Sequence, residues 1–225
     1  MPRDWYHEEL DGLQRELLQM SGMVELSIFR AVKSLAERDA ELARTVVHEE
    51  DAIDAMESTI EQHCLRLLAL QQPLAGDLRL IGTALKIVTD LERMADHALD
   101  IARVTIRISS QPLMKPLIDI PRMANIAREM TRAAIEAYGR KDAAAARAVI
   151  ERDDEVDLLY DQVLRELLTY MMASPPTISQ AIQLLLVAGS LERIADHATN
   201  LGEWIIYMVT GERPRLNDSS AESSS

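Results

Sequence analysis

Leu91-Glu92-Arg93-Met94-Ala95-Asp96-His97-Ala98 returns, one hundred residues further on, as Leu191-Glu192-Arg193-Ile194-Ala195-Asp196-His197-Ala198. Only Met94 and Ile194 differ between the two. Recurrence over so long a spacing marks a duplicated structural unit. The duplication extends outward from this core. Arg38-Asp39-Ala40 matches Lys141-Asp142-Ala143, Arg44 matches Arg147, and Asp51-x-Ile53-Asp54 matches Asp154-x-Val156-Asp157. The repeated segments read as helix. Val46, Ile53, Ile60 and Leu67 recur every seven residues, interleaved with Leu42, Met56 and Leu70, and Val149, Val156, Val163 and Tyr170 do the same. Such spacing is that of an a/d seam. Breaks fall at Gln71-Gln72-Pro73, at Ser109-Ser110-Gln111-Pro112 with Pro116 and Pro121 following, and at Ala173-Ser174-Pro175-Pro176. Asp39 and Asp142 suit helix N-caps after tight turns. The reading is all-α, with helices near 6–37, 39–71, 75–108, 118–139, 142–173 and 177–210. It gives a three-helix unit at 1–112, a second at 113–212, and a Ser-rich tail at 213–225 expected to be disordered.

Composition agrees with a helical core. Of 225 residues, 48% are hydrophobic but only 4% aromatic, so Leu, Ile, Val, Ala and Met must fill the interior. The net charge of −13 disfavours nucleic acid and anionic membranes, whose phosphates such a surface repels. It suits cations or a basic protein partner. Cys64 is the single cysteine, which fits a reducing compartment and excludes an internal disulfide. The start, Met1-Pro2-Arg3-Asp4, lacks a signal-peptide core, and no apolar run reaches the ~18 residues of a bilayer span. The expectation is a soluble, cytoplasmic protein.

Carboxylates occupy places in the pattern where apolar residues belong. Leu78, Leu85, Leu99 and Ile106 mark one position every seven residues, and Glu92 fills the gap in that series. Glu192 does the same among Ile178, Leu185, Thr199 and Ile206. An unpaired buried carboxylate costs several kcal/mol. Asp96 and Asp196 lie four residues on, hence on the same helix face. The preceding helices add Glu50 with Asp54, and Asp153 with Asp157. Like charges at this spacing repel, and a multivalent cation reverses the sign. Four carboxylates from two neighbouring helices make a hard oxygen-ligand set. Asp51, Asp100, Asp154 and Asn200 can extend it, and His97 and His197 can act as peripheral or supporting ligands. The competing reading pairs Glu92 and Glu192 with arginines of neighbouring helices, such as Arg66, Arg79 or Arg165. Other acidic pairs, among them Glu57 with Glu61, read as solvated faces.

The segment Asp90 to Ala98, with its copy Leu191 to Asn200, resembles the signature of the PhoU family. The acidic lead-ins Glu50 to Asp54 and Asp153 to Asp157 resemble that family too. The likeness runs from about residue 5 to 212. It departs at Ala95 and Ala195, where the family commonly has Gly. The resemblance implies two pseudo-symmetric three-helix bundles, and a multinuclear metal cluster on Glu50, Asp54, Glu92, Asp96, Asp153, Asp157, Glu192 and Asp196. Iron is the foremost metal, with zinc, nickel, manganese or magnesium as alternatives. The implied role is a cytoplasmic negative regulator of the phosphate-starvation response and of phosphate uptake. It would stand between the ATPase of the phosphate ABC transporter and a phosphate-sensing histidine kinase, often as a homodimer.

Two other functions compete with an adaptor of this kind. One is a carboxylate-bridged metalloenzyme, but the Glu-x-x-His spacing of such bundles is absent from both motif helices. The other is a purely structural helical adaptor without metal. No nucleophile elbow or phosphate-cradling Gly loop is present to argue for other chemistry.

Overall fold

The computed structural model describes residues 3–71, 73 and 75–212. The predicted tail at 213–225 lies outside the described residues. Among the described residues seven α-helices follow one another: α1 Arg3–Glu37, α2 Ala40–Gln71, α3 Ala75–Ile108, α4 Asp119–Arg140, α5 Ala143–Ile150, α6 Asp153–Ala173 and α7 Ile178–Thr210. A short 3₁₀ turn, Pro175–Thr177, leads into α7. Among the described residues there is no strand.

The helix seams explain the assembly. On α1, Leu13, Leu17, Met20, Val24, Ile28, Ala31 and Leu35 are buried at spacings of three or four residues. On α2 the seven-residue series Val46, Ile53, Ile60 and Leu67 is buried, as are Val149, Val156 and Val163 in the second half. Helices α1, α2 and α3 pack as one bundle, and α4, α5 with α6, and α7 as the other. The two bundles meet through α3 against α7 and α1 against α4, and one continuous apolar core runs through both.

The tight turns match in the two halves. Arg38 and Lys141 take left-handed backbone, with φ of 56° and 53°. Asp39 then accepts from the backbone N–H groups of Glu41 and Leu42, and Asp142 from those of Ala144 and Ala145. The carboxylates satisfy donors that the first helical turn leaves without partners.

Two expectations need correction. The predicted helix at 142–173 divides at Glu151 and Arg152, whose backbone tightens into i to i−3 bonds, Arg152 N–H to Val149 and Glu155 N–H to Arg152. Asp153, Asp154 and Glu155 thereby form the first turn of α6, where the positive end of the helix dipole favours acids. The series through Leu78, Leu85, Glu92 and Ile106 also proves not to be the core seam of α3. Leu78 is 50% exposed, and the seam runs instead through Ile81, Ala84, Ile87, Leu91, Met94 and Ala98. Glu92 and Glu192 therefore border the core rather than sit within it.

Candidate metal centre

In the first repeat, α2 carries Glu50 and Asp54 and α3 carries Glu92 and Asp96. Glu92 keeps only 18% of its side chain exposed. Its carboxyl is pushed up to about 7, chiefly by burial and then by the charge of Asp96, with Glu57 and Asp54 adding and Arg93 opposing. Burial also raises Glu50, followed by the charges of Asp54, Asp96 and Asp51, while Arg103 opposes. The acids of α2 and α3 thus act on one another across the helix pair.

The second repeat repeats the arrangement on α6 and α7. Asp153 is pushed up to about 6, first by burial and then by Asp157, Asp196, Asp154 and Glu192. Burial raises Asp157, then Asp196, Asp154 and Asp161 add to it. Glu192 rises through burial, Asp196 and Asp157, against Arg193. One oxygen of Asp153, Oδ1, is buried with no hydrogen-bond partner. A buried acceptor without a donor is costly, and a water or a cation can satisfy it.

The residues fit a hard cation by donor chemistry. All eight motif residues are carboxylates, those with raised values disfavour one another's ionisation, and Asp153 Oδ1 is buried without a partner. Among the described residues, no three His, Cys, Asp or Glu side chains stand in a ligating arrangement.

The remaining candidates are placed differently. Asp51 and Asp154 are exposed, as Asp54, Asp157 and Asp196 of the motif also are, and act on the clusters through their charge. Asp100 pairs with Arg103 at 3.4 Å. The amide of Asn200 lies 3.5 Å from Asp90. His97 and His197 face each other across α3 and α7, with ring centroids 5.7 Å apart. His197 Nδ1 is 2.8 Å from Asp90, while burial, His197 and Arg193 lower the pKa of His97. The two histidines join the repeats to each other.

The arginine reading is not met, since none of the three arginines it named pairs with Glu92 or Glu192. Arg66 bonds Glu9 at 2.5 Å, Arg79 donates to the Met208 carbonyl at 3.2 Å, and Arg165 lies 3.8 Å from Asp161. Glu92 instead has its neighbour Arg93, at 3.4 Å, which also bonds Asp96. An ion pair to so exposed an arginine is worth about 0–1 kcal/mol, too little to offset a crowd of carboxylates.

The reading of Glu57 with Glu61 as a solvated face needs correction for Glu57, which is half-buried, raised by burial and by the charges of Glu61 and Asp54, and seven residues from Glu50. That interval was the available signal. Its counterpart in the second repeat is Tyr160, so the two clusters are not equivalent.

Comparison with known proteins agrees with the duplication. The PhoU domain model matches twice, at residues 17–105 and 120–205. The phosphate-specific transport system accessory protein PhoU homolog of Clostridium acetobutylicum is 39% identical over 97% of this chain and its own full length. The crystal structure of PhoU from Pseudomonas aeruginosa superposes with a TM-score of 0.87 at 38% identity, over 92% of this chain and all of that one. The phosphate transport system regulatory protein PhoU of Streptococcus pneumoniae gives 0.86 at 30% identity, over 94% of this chain and all of that one. With both repeats matched and the whole fold shared, this chain belongs to the PhoU family.

Proposed function

We propose that this chain is an accessory protein of a phosphate-specific transport system, a metal-binding negative regulator of the phosphate-starvation response. The observation that carries the reading is the duplicated carboxylate cluster, set in a chain that matches a PhoU homolog from end to end. Among the described residues no helix is long and apolar enough to cross a membrane. The regulator would work in the cytoplasm as a homodimeric adaptor between the transporter ATPase and a sensor histidine kinase. Its acidic surface would meet basic faces of those partners. Catalysis is not part of this role; multinuclear metal, iron foremost, would set the shape of the helix pairs.

Deleting the gene is expected to raise alkaline phosphatase and phosphate uptake severalfold in phosphate-rich medium. The wild-type gene should restore repression, and a Glu92→Ala, Glu192→Ala version should fail to do so at equal protein level. Unchanged phosphatase in the deletion strain would reject the regulatory reading.

A further inference from the structure

We infer that a cavity between the two repeats binds a small phosphate-type oxyanion. The cavity has a volume of about 490 Å³ and lies where α3, α6 and α7 meet. Arg103 and Arg107 of α3 and Arg193 of α7 line it, with Tyr160 of α6 and Ser190 of α7 adding hydroxyls and Val104 an apolar wall. Asp100 and Glu192 also line it, so three guanidinium groups stand against two carboxylates. The balance is positive in a chain whose net charge is −13. Among the described residues neither Arg107 nor Arg193 has an ion-pair or hydrogen-bond partner. Guanidinium forks match the oxygens of a phosphoryl group in pairs, which a point charge does not.

The duplication provides an internal control. At the matching places in the other half, Arg103 becomes Glu203, Arg107 becomes Tyr207, and Ser190 becomes Asp90. Arg193 has a counterpart in Arg93, but Arg93 is folded onto Glu92 and Asp96. Tyr160 replaces the carboxylate of Glu57. Bundle packing alone does not require Arg103 and Arg107 here, because the same helical framework is built with Glu203 and Tyr207 in their places. The positive cavity is a property of one junction only. Its size exceeds that of inorganic phosphate and leaves room for a phosphate monoester. The site stands on this chemistry and not on the regulatory reading, so the two can fail separately.

Calorimetric titration of the purified full chain, in chelator to remove metals, tests the inference with two probes, inorganic phosphate and adenosine monophosphate. Saturable binding of at least one is expected, and the preferred probe tells a free phosphate from an ester. Arg107→Gln should weaken binding about tenfold. Gly189→Leu, which inserts a side chain where the nearest atom to a new Cβ is Tyr160 Cε2 at 4.0 Å, should do the same by filling the cavity without changing charge. Arg140→Gln, an equal charge loss at an exposed position at the end of α4, should leave binding unchanged. Absence of binding by both probes up to 10-millimolar order would overturn the inference. So would binding undiminished in folded Arg107→Gln and Gly189→Leu, or diminished as much by Arg140→Gln.

Discussion

At pH 8, saturating metal-free protein with a divalent cation is expected to raise its melting temperature by roughly 5–10 °C for each repeat that binds. A ligand at one hundred times its Kd stabilises by about 2.7 kcal/mol, and a chain of this length gains about 2–4 °C per kcal/mol. The pH dependence follows from the raised carboxyls. Glu92 at about 7 and Asp153 at about 6 hold their protons more tightly in the folded chain than in the unfolded one. The unfolded state then binds fewer protons in the window between ordinary carboxylate values and pH 7, so stability falls as pH rises through it. Metal-free protein should therefore melt higher at pH 5 than at pH 8. Loaded protein should not show that loss, because cations replace the protons, and the response to added metal should shrink toward pH 5 as protons compete. Glu92→Gln should raise the metal-free melting temperature at pH 8 while removing the response of the first repeat. Scanning calorimetry across pH, with and without cation, reads all of these. A metal-free melting temperature that rises with pH would refute the electrostatic account.

The second large effect concerns packing. Gly202 of α7 faces α5, where an added Cβ would lie 2.8 Å from Ile150 Cγ1 and 2.9 Å from the Ala146 carbonyl oxygen. The oxygen belongs to a helix backbone and cannot swing aside. Gly202→Ala is expected to destabilise by about 1–3 kcal/mol, since overpacking outweighs the helix propensity gained. Gly82 in α3 has nothing within 4 Å of such a Cβ. Gly82→Ala should stabilise by about 0.5–1 kcal/mol through propensity alone. Urea unfolding of the pair distinguishes close helix approach from a generic glycine effect. Equal and positive changes in both variants would contradict the packing reading.

The helical architecture was legible because its determinants are local and periodic. The seven-residue series through Val46 and Val156, the caps Asp39 and Asp142, and the motif repeat at Glu92 and Glu192 are all visible along the chain. The break at Glu151 was not, because no Gly or Pro announces it and the adjoining acids are compatible with either a continuous helix or a new first turn. Likewise, Glu92 keeps its neighbours in sequence whether it lies in the seam or beside it, and only the packing of α2 against α3 decides which. The pairing of acids across helices was legible as a pattern. The meeting of His97 with His197 was not, since it depends on how the two repeats pack together. The charge difference between Arg103 and Glu203, or between Tyr160 and Glu57, is plain in the sequence but acquires meaning only once the cavity is known.

Metal content of gently purified protein, measured by elemental mass spectrometry beside a Glu92→Ala, Glu192→Ala variant, tests the carboxylate account most directly. The account predicts at least one transition-metal or magnesium ion per repeat in the native chain, and its loss in a variant that keeps its helical signal. A native chain without metal, or a variant that retains it in full, would contradict the claim that cations hold these acids together.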